Sequence, residues 1–199
     1  MKEVFMTATT RGLFEVRMHG RAGQGAKSGS QMLAEAAFKQ GKWIQAFPEY
    51  GSERRGAPTV SYTRISDKAL RTHEPITNPD AVMVFDMGLI RAVPVTAGLN
   101  EEAGILIVNT TKSVEEIRQI IGFKGKIYVI DATGISLDLL KIDAPNVPML
   151  GALVKAANIV PLEAVKEIIK ETFLEKIGME KVEKNIRGLH RGYEEVKNG

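Results

Sequence analysis

The sequence predicts an α/β protein. Three layers, helix on sheet on helix, surround a mostly parallel sheet, and a helical part follows at the C-terminus. Three observations predict this. Residues 80–86 (DAVMVFD), 104–109 (GILIVN) and 126–131 (KIYVID) are compact apolar blocks rich in β-branched residues, the pattern of strands covered on both faces. Segments of helical spacing fall between them, as a layered α/β chain requires. From residue 150 onward the chain reads as helix.

In chain order, residues 13–19 (LFEVRMH) alternate apolar and polar side chains, as a half-buried strand does. A glycine-rich loop follows. Residues 31–40 (QMLAEAAFKQ) then have helical spacing and run into Gly41, a helix-stopping position. Residues 43–47 and 59–64 (TVSYTR) read as short strands on either side of a second loop. Among the later helical segments is 113–121, where Ser113 and Glu116 are spaced as a capping box. Pro161 is well placed to open a helix over 162–177. An amphipathic stretch covers 179–196. There is no internal repeat, linker or low-complexity tract, so residues 1–199 read as a single domain.

Composition narrows the chemistry. Hydrophobic residues make up 44% and charged residues 26% of the chain, ordinary values for a soluble globular protein. The net charge is +3 and no basic block exceeds a pair, which gives no case for nucleic acid. The chain has no cysteine, hence no disulfide, no thiol nucleophile and no all-thiolate iron–sulfur cluster of its own. No metal-ligand constellation stands out. The N-terminus MKEVFMTATTRG lacks a signal-peptide core, and no apolar run approaches a membrane span. A cytoplasmic location is expected, with no membrane partner.

Two loops carry the functional signal. The first, Gly20-Arg21-Ala22-Gly23-Gln24-Gly25-Ala26-Lys27-Ser28-Gly29, joins a strand to a helix. Unpaired N–H groups and the helix dipole make such a junction an anion site. Its glycines run G-x-x-G-x-G, the reverse of the dinucleotide fingerprint. The P-loop pattern fits except for Ala26, one inserted residue that displaces Lys27 and Ser28. One residue is about 100° of helix rotation, which turns Lys27 away from a bound phosphate. The runs VMVFD and IYVID resemble acid-ending ATPase strands and keep a free-standing nucleotide-binding protein open as the alternative. A tight turn without a ligand is the plain structural reading. The second loop, Tyr50-Gly51-Ser52-Glu53-Arg54-Arg55-Gly56-Ala57-Pro58, sets two arginines among glycines. Arginine forks take carboxylate or phosphate bidentately. The alternatives are a solvated turn holding a local ion pair, or a docking loop. The loop is expected to follow the strand beside the glycine loop, at the sheet edge where ligands gather. His19, ending the first strand, reads as a packing or orienting residue. His73 and His190 fall in surface segments. Trp43 and Phe47 read as core or interface.

Taken together, RMHGRAGQGAKSGSQMLAEAAF, QAFPEYGSERRGAPTVSYTRIS, NPDAVMVFD, DATGISLDLL, NVPMLGALVKAANIVPLEAV and the N-x-x-x-x-x-x-G-Y ending at Asn185 to Tyr193 resemble the gamma subunit of 2-oxoacid:ferredoxin oxidoreductases, the pyruvate synthase family. The motifs keep their order from Leu13 to about Tyr193. Ala22 departs from the pattern, standing where the family commonly has glycine. The resemblance implies a subunit of an enzyme that converts pyruvate or another 2-oxoacid and coenzyme A to acyl-coenzyme A, carbon dioxide and reduced ferredoxin, or the reverse. It places thiamine diphosphate, magnesium and iron–sulfur clusters on alpha, beta and ferredoxin-type delta partner subunits, with ferredoxin as electron acceptor. For this chain it implies no catalytic residue and no cofactor bound alone, but a share in holding coenzyme A. The expected contacts are the N–H groups of Gly23, Gln24 and Gly25 for phosphate, charge from Arg54 and Arg55, and a hydrogen bond from Asn146, for which a turn asparagine between two prolines is the plain structural alternative. A pure scaffold, whose loops only dock partners, is the remaining alternative.

Overall fold

One seven-stranded sheet organises the chain, in the order β2-β3-β1-β4-β5-β6-β7. The structure, a computed structural model, describes residues 12–49 and 57–199. The elements are β1 (Leu13–Arg21), α1 (Ala26–Lys39), β2 (Trp43–Glu49), β3 (Pro58–Ser66), β4 (Ala81–Val84), α2 (Leu89–Ala92), β5 (Ile105–Asn109), α3 (Val114–Ile121), β6 (Lys126–Ile130), α4 (Ala132–Leu140), α5 (Asn146–Ala157), α6 (Leu162–Ile177), α7 (Met179–Glu195) and β7 (Lys197–Asn198). The central strands β1, β4, β5 and β6 run parallel, while β2, β3 and β7 pair antiparallel at the two margins.

Alternation along the parallel strands sorts side chains into two cores. Met18, Met83 and Ile107 face one side, beneath α1, α4, α5, α6 and α7. Val82, Val84, Leu106, Val108 and Ile127 face the other, beneath α2 and α3. The three-layer arrangement and the helical C-terminal part are those the sequence predicts. Helix α6 spans the predicted residues and starts directly after Pro161. The Ser113–Glu116 capping box on α3 is formed in both directions.

Three expectations are corrected. Helix α1 begins at Ala26, five residues before the predicted start, straight out of the glycine loop. Ala26, Gly29 and Ser30 in its first turns are buried, so the low helix propensity of Gly29 is overridden by packing. The first strand is buried on both faces rather than one, since Arg17 and His19 are each only 7% exposed. For Trp43 the core reading is corrected, since it is 56% exposed in this chain, and the interface reading is untouched, whereas Phe47 packs against Tyr62 with ring centroids 5.1 Å apart and planes tilted by 39°.

Polar groups fill the antiparallel wing where no helix covers it. The Arg17 guanidinium donates to the carbonyls of Ile76 (3.2 Å), Val95 (3.0 Å) and Ala97 (2.6 Å), and to Nε2 of His19 (3.1 Å). Beside it, Arg64 pairs with Glu15 at 2.7 Å and donates to the Glu74 carbonyl. These two arginines pin the crossing segments around residues 74–76 and 95–97 onto the sheet.

Candidate functional site

The glycine loop lies at the carboxyl edge of the parallel strands, where open α/β sheets bind ligands. Two glycines shape it, Gly23 at φ 104° and Gly25 at φ 81°, a region L side chains rarely enter. Gly25 is also the N-cap of α1 and provides no side-chain cap. The first-turn N–H groups of that helix therefore have no intrahelical acceptor and point, with the positive end of the dipole, out of the edge. The Gln24 N–H, expected to face a phosphate, instead donates to Arg21 O at 3.1 Å, and the Gln24 side-chain oxygen accepts from Arg21 N at 2.9 Å. The turn is tight enough to consume that donor. Lys27 is exposed and Ala26 buried.

Asn146 and the loop are brought together although they lie far apart in sequence. Asn146 is the first residue of α5, not a turn residue, and is 7% exposed. Its Nδ2 donates to Ser28 Oγ at 3.1 Å, and that hydroxyl donates to Gly25 O at 3.0 Å. Arg54 and Arg55 lie outside the described residues. What can be said concerns the flanks. Strand β2, which leads into the second loop, is the sheet edge and not the neighbour of β1. Strand β3, which leaves that loop, pairs with β1, and Pro58 stands opposite Arg21. Ala22 N reaches Ala57 O at 3.4 Å, so the second loop ends against the first.

Arg21 is the cation that sequence reasoning passed over. It sits inside the glycine loop, about one-third exposed, with Nε 3.1 Å from Asp86 Oδ2. The Asp86 carboxylate also accepts from Gly88 N at 2.7 Å, so it holds the guanidinium from a fixed base. An arginine placed between the first two glycines of the loop was the available signal. Next to this pair opens a crevice of ≈ 370 Å³ lined by Gln24, Asp86, Asn109, Asp131, Thr133 and Asp143. Asn109 ties its floor together, donating to Phe85 O and Thr133 Oγ1, both at 2.9 Å. Asp131 is turned to Gly134 N as the cap of α4.

His19 is not placed as an acid or base. Burial, and then the Arg17 charge, push it down to about 4, so at neutral pH it is an uncharged acceptor for Arg17. Among the described residues no cluster of three or more potential metal ligands occurs, and no helix is long and apolar enough to cross a membrane.

A glycine loop feeding a helix N-terminus at the carboxyl edge of an α/β sheet has the form of an anion-binding site. The comparisons say in which family it stands. Residues 15–195 match the model of the pyruvate ferredoxin/flavodoxin oxidoreductase family. The chain is 54% identical over 184 residues to pyruvate synthase subunit PorC of Thermotoga maritima, covering 92% of this chain and 95% of that one. It is 48% identical over 182 residues to the pyruvate/ketoisovalerate oxidoreductases common subunit gamma of Thermococcus kodakarensis, covering 91% and 96%. The crystal structure of the Thermotoga maritima subunit superposes with a TM-score of 0.84 at 52% identity, covering 94% of this chain and 98% of that one. The chain belongs to the pyruvate ferredoxin/flavodoxin oxidoreductase family and is similar throughout to its gamma-type subunits.

Proposed function

We propose that the chain is the gamma subunit of a heteromeric 2-oxoacid:ferredoxin oxidoreductase in the cytoplasm, with pyruvate the leading substrate. It completes the complex and helps hold coenzyme A. The reaction joins the acyl group of the oxoacid to coenzyme A, releases carbon dioxide and passes two electrons to ferredoxin, or runs in reverse. Alpha, beta and ferredoxin-type delta subunits supply thiamine diphosphate, magnesium and the iron–sulfur clusters. This chain, which has no cysteine, offers no group for the bond-breaking step and is not catalytic alone. Its contribution is binding: N–H groups at Gly23, Gly25 and the first turn of α1 for a phosphate of coenzyme A, with charge from Arg21, Arg54 and Arg55.

The observation that carries this reading is the glycine loop folded onto a bare helix N-terminus at the carboxyl edge, with Arg21 in its first turn. The decisive preparation is an affinity pull-down of the tagged chain from its native extract. Co-elution of cluster-containing subunits with coenzyme A-dependent reduction of a viologen dye by pyruvate is expected. A chain that elutes alone and titrates with ATP would transfer the assignment to a nucleotide-binding protein. In the active complex, Arg21→Ala should raise the KM for coenzyme A about tenfold, the loss of one partly screened charge-assisted hydrogen bond, and leave that for the oxoacid unchanged. If Arg21→Ala, Arg54→Ala and Arg55→Ala weaken assembly and none moves that KM, the loops only dock partners.

A further inference from the structure

Asn146 is expected from the sequence to touch the ligand. The geometry points to a different role: we propose that Asn146 is a positioning residue, which holds the glycine loop in its binding shape through Ser28 and a steric wall at Gly25.

The hydrogen-bond chain runs in one direction. Asn146 Nδ2 donates to Ser28 Oγ (3.1 Å), and Ser28 donates onward to Gly25 O (3.0 Å), which also receives Gly29 N (2.8 Å). Each donor is polarised by the next acceptor, so the chain is stronger than its separate bonds. The wall is equally direct. A Cβ on Gly25 would stand 2.7 Å from Asn146 Cγ and 2.9 Å from its Cβ. The asparagine thus occupies the volume on the inner side of Gly25, and the φ of 81° there keeps the loop turned outward. With its Nδ2 committed to Ser28 and 93% of its surface covered, Asn146 acts chiefly on the loop.

The base from which Asn146 acts cannot retreat. Helix α5 is buried from Asn146 to Val154 and crosses α7 backbone to backbone. A Cβ on Gly192 would lie 2.0 Å from Pro148 O, and one on Gly151 2.1 Å from Leu189 O. The close crossing fixes the N-terminus of α5, and Asn146 transfers that fixity to the loop. A rigid supporting layer of this kind is what a precise binding loop requires.

Only the kinetic arm of the test rests on the coenzyme A reading. In the purified complex without coenzyme A, Asn146→Ala should speed amide hydrogen exchange at Gly29, whose N–H is bonded to Gly25 O, about tenfold, the effect of one lost buried hydrogen bond. The same variant should raise the KM for coenzyme A about tenfold and leave kcat and the oxoacid KM unchanged. Ser28→Ala, a milder change at a half-buried site, should act in the same direction. The double variant should be no worse than Asn146→Ala alone, since both break one chain. Unchanged exchange in the ligand-free Asn146→Ala complex would overturn the proposal, as would additive effects of the two substitutions. Faster exchange with an unchanged coenzyme A KM keeps the positioning role and removes the coenzyme A reading instead.

Discussion

The two wings of this sheet bury their strands by different means. In the parallel wing, β4, β5 and β6 carry apolar side chains on both faces and helices cover them. In the antiparallel wing, α1 covers one face of β1 and β3, but the other holds Arg17, His19, Tyr62 and Arg64 beneath loop segments. Loops bring backbone carbonyls that need donors when buried. Arginine, with five donors on one rigid plane, satisfies several of them at once. A sheet face can therefore be closed by irregular chain when its side chains complete the hydrogen bonding that a helix would complete internally.

The sharpest way to break the contrast is to remove the donor. Arg17→Met keeps much of the volume but strands the carbonyls of Val95, Ala97 and Ile76 and the Nε2 acceptor of His19. With each bond to a charged group contributing about 1.5–3 kcal/mol, a loss of at least ~3–5 kcal/mol is expected by urea unfolding. Leu106→Ala in the parallel wing, at a fully buried position, should cost about 2–5 kcal/mol through its cavity. If Arg17→Met cost under ~1 kcal/mol, the polar wing would not depend on this arginine.

The parallel wing was legible in the sequence and the antiparallel wing only in part. Blocks such as ILIV within GILIVN announce strands covered on both faces because their consecutive side chains are all apolar. The segment LFEVRMH gives the correct alternation, but alternation does not say what lies over the polar face. Water and a layer of carbonyls ask for the same residue types. The same limit applies to the site. Glycines at 20, 23 and 25 marked the loop correctly, yet their low helix propensity hid the start of α1 at Ala26. Pro145 and Pro148 made Asn146 look like a turn residue. The first is instead the N-cap of α5 and the second lies in its first turn, where no N–H is required. Its contact with Ser28 spans 118 residues, and no local pattern reports that.

A smaller perturbation sharpens the comparison by titration. His19 is held uncharged in the folded chain, its pKa pushed down to about 4 by burial and then by Arg17. In the unfolded chain it protonates near its ordinary value of about 6.5. Between these values the unfolded state binds the extra proton, so stability is full above pH ~6.5 and falls as pH drops toward 4. From pH 6.5 to 5 the loss from this group is on the order of 2 kcal/mol. His19→Gln offers Arg17 an acceptor that does not titrate, and should flatten that part of the stability curve. An unchanged slope would mean that His19 is protonated in the fold and does not accept from Arg17.

The smallest effect belongs to a feature that needs no tertiary context. Ser113 accepts from Glu116 N at 3.2 Å while the Glu116 carboxylate accepts from Ser113 N at 2.9 Å. The box lies on the exposed rim of the parallel wing, within four consecutive residues. Ser113→Ala removes one cap and should cost about 1 kcal/mol, or roughly 2–4 °C in Tm for a chain of this length. Because α3 lies far in the sheet order from Arg17, the cost should add to that of Arg17→Met within about 0.5 kcal/mol. Additivity would mean that the two wings fail independently. A surplus beyond ~1 kcal/mol would show that loosening the arginine-pinned segments near Val95 reaches α3 through the shared apolar cluster of Val95, Val108 and Ile117.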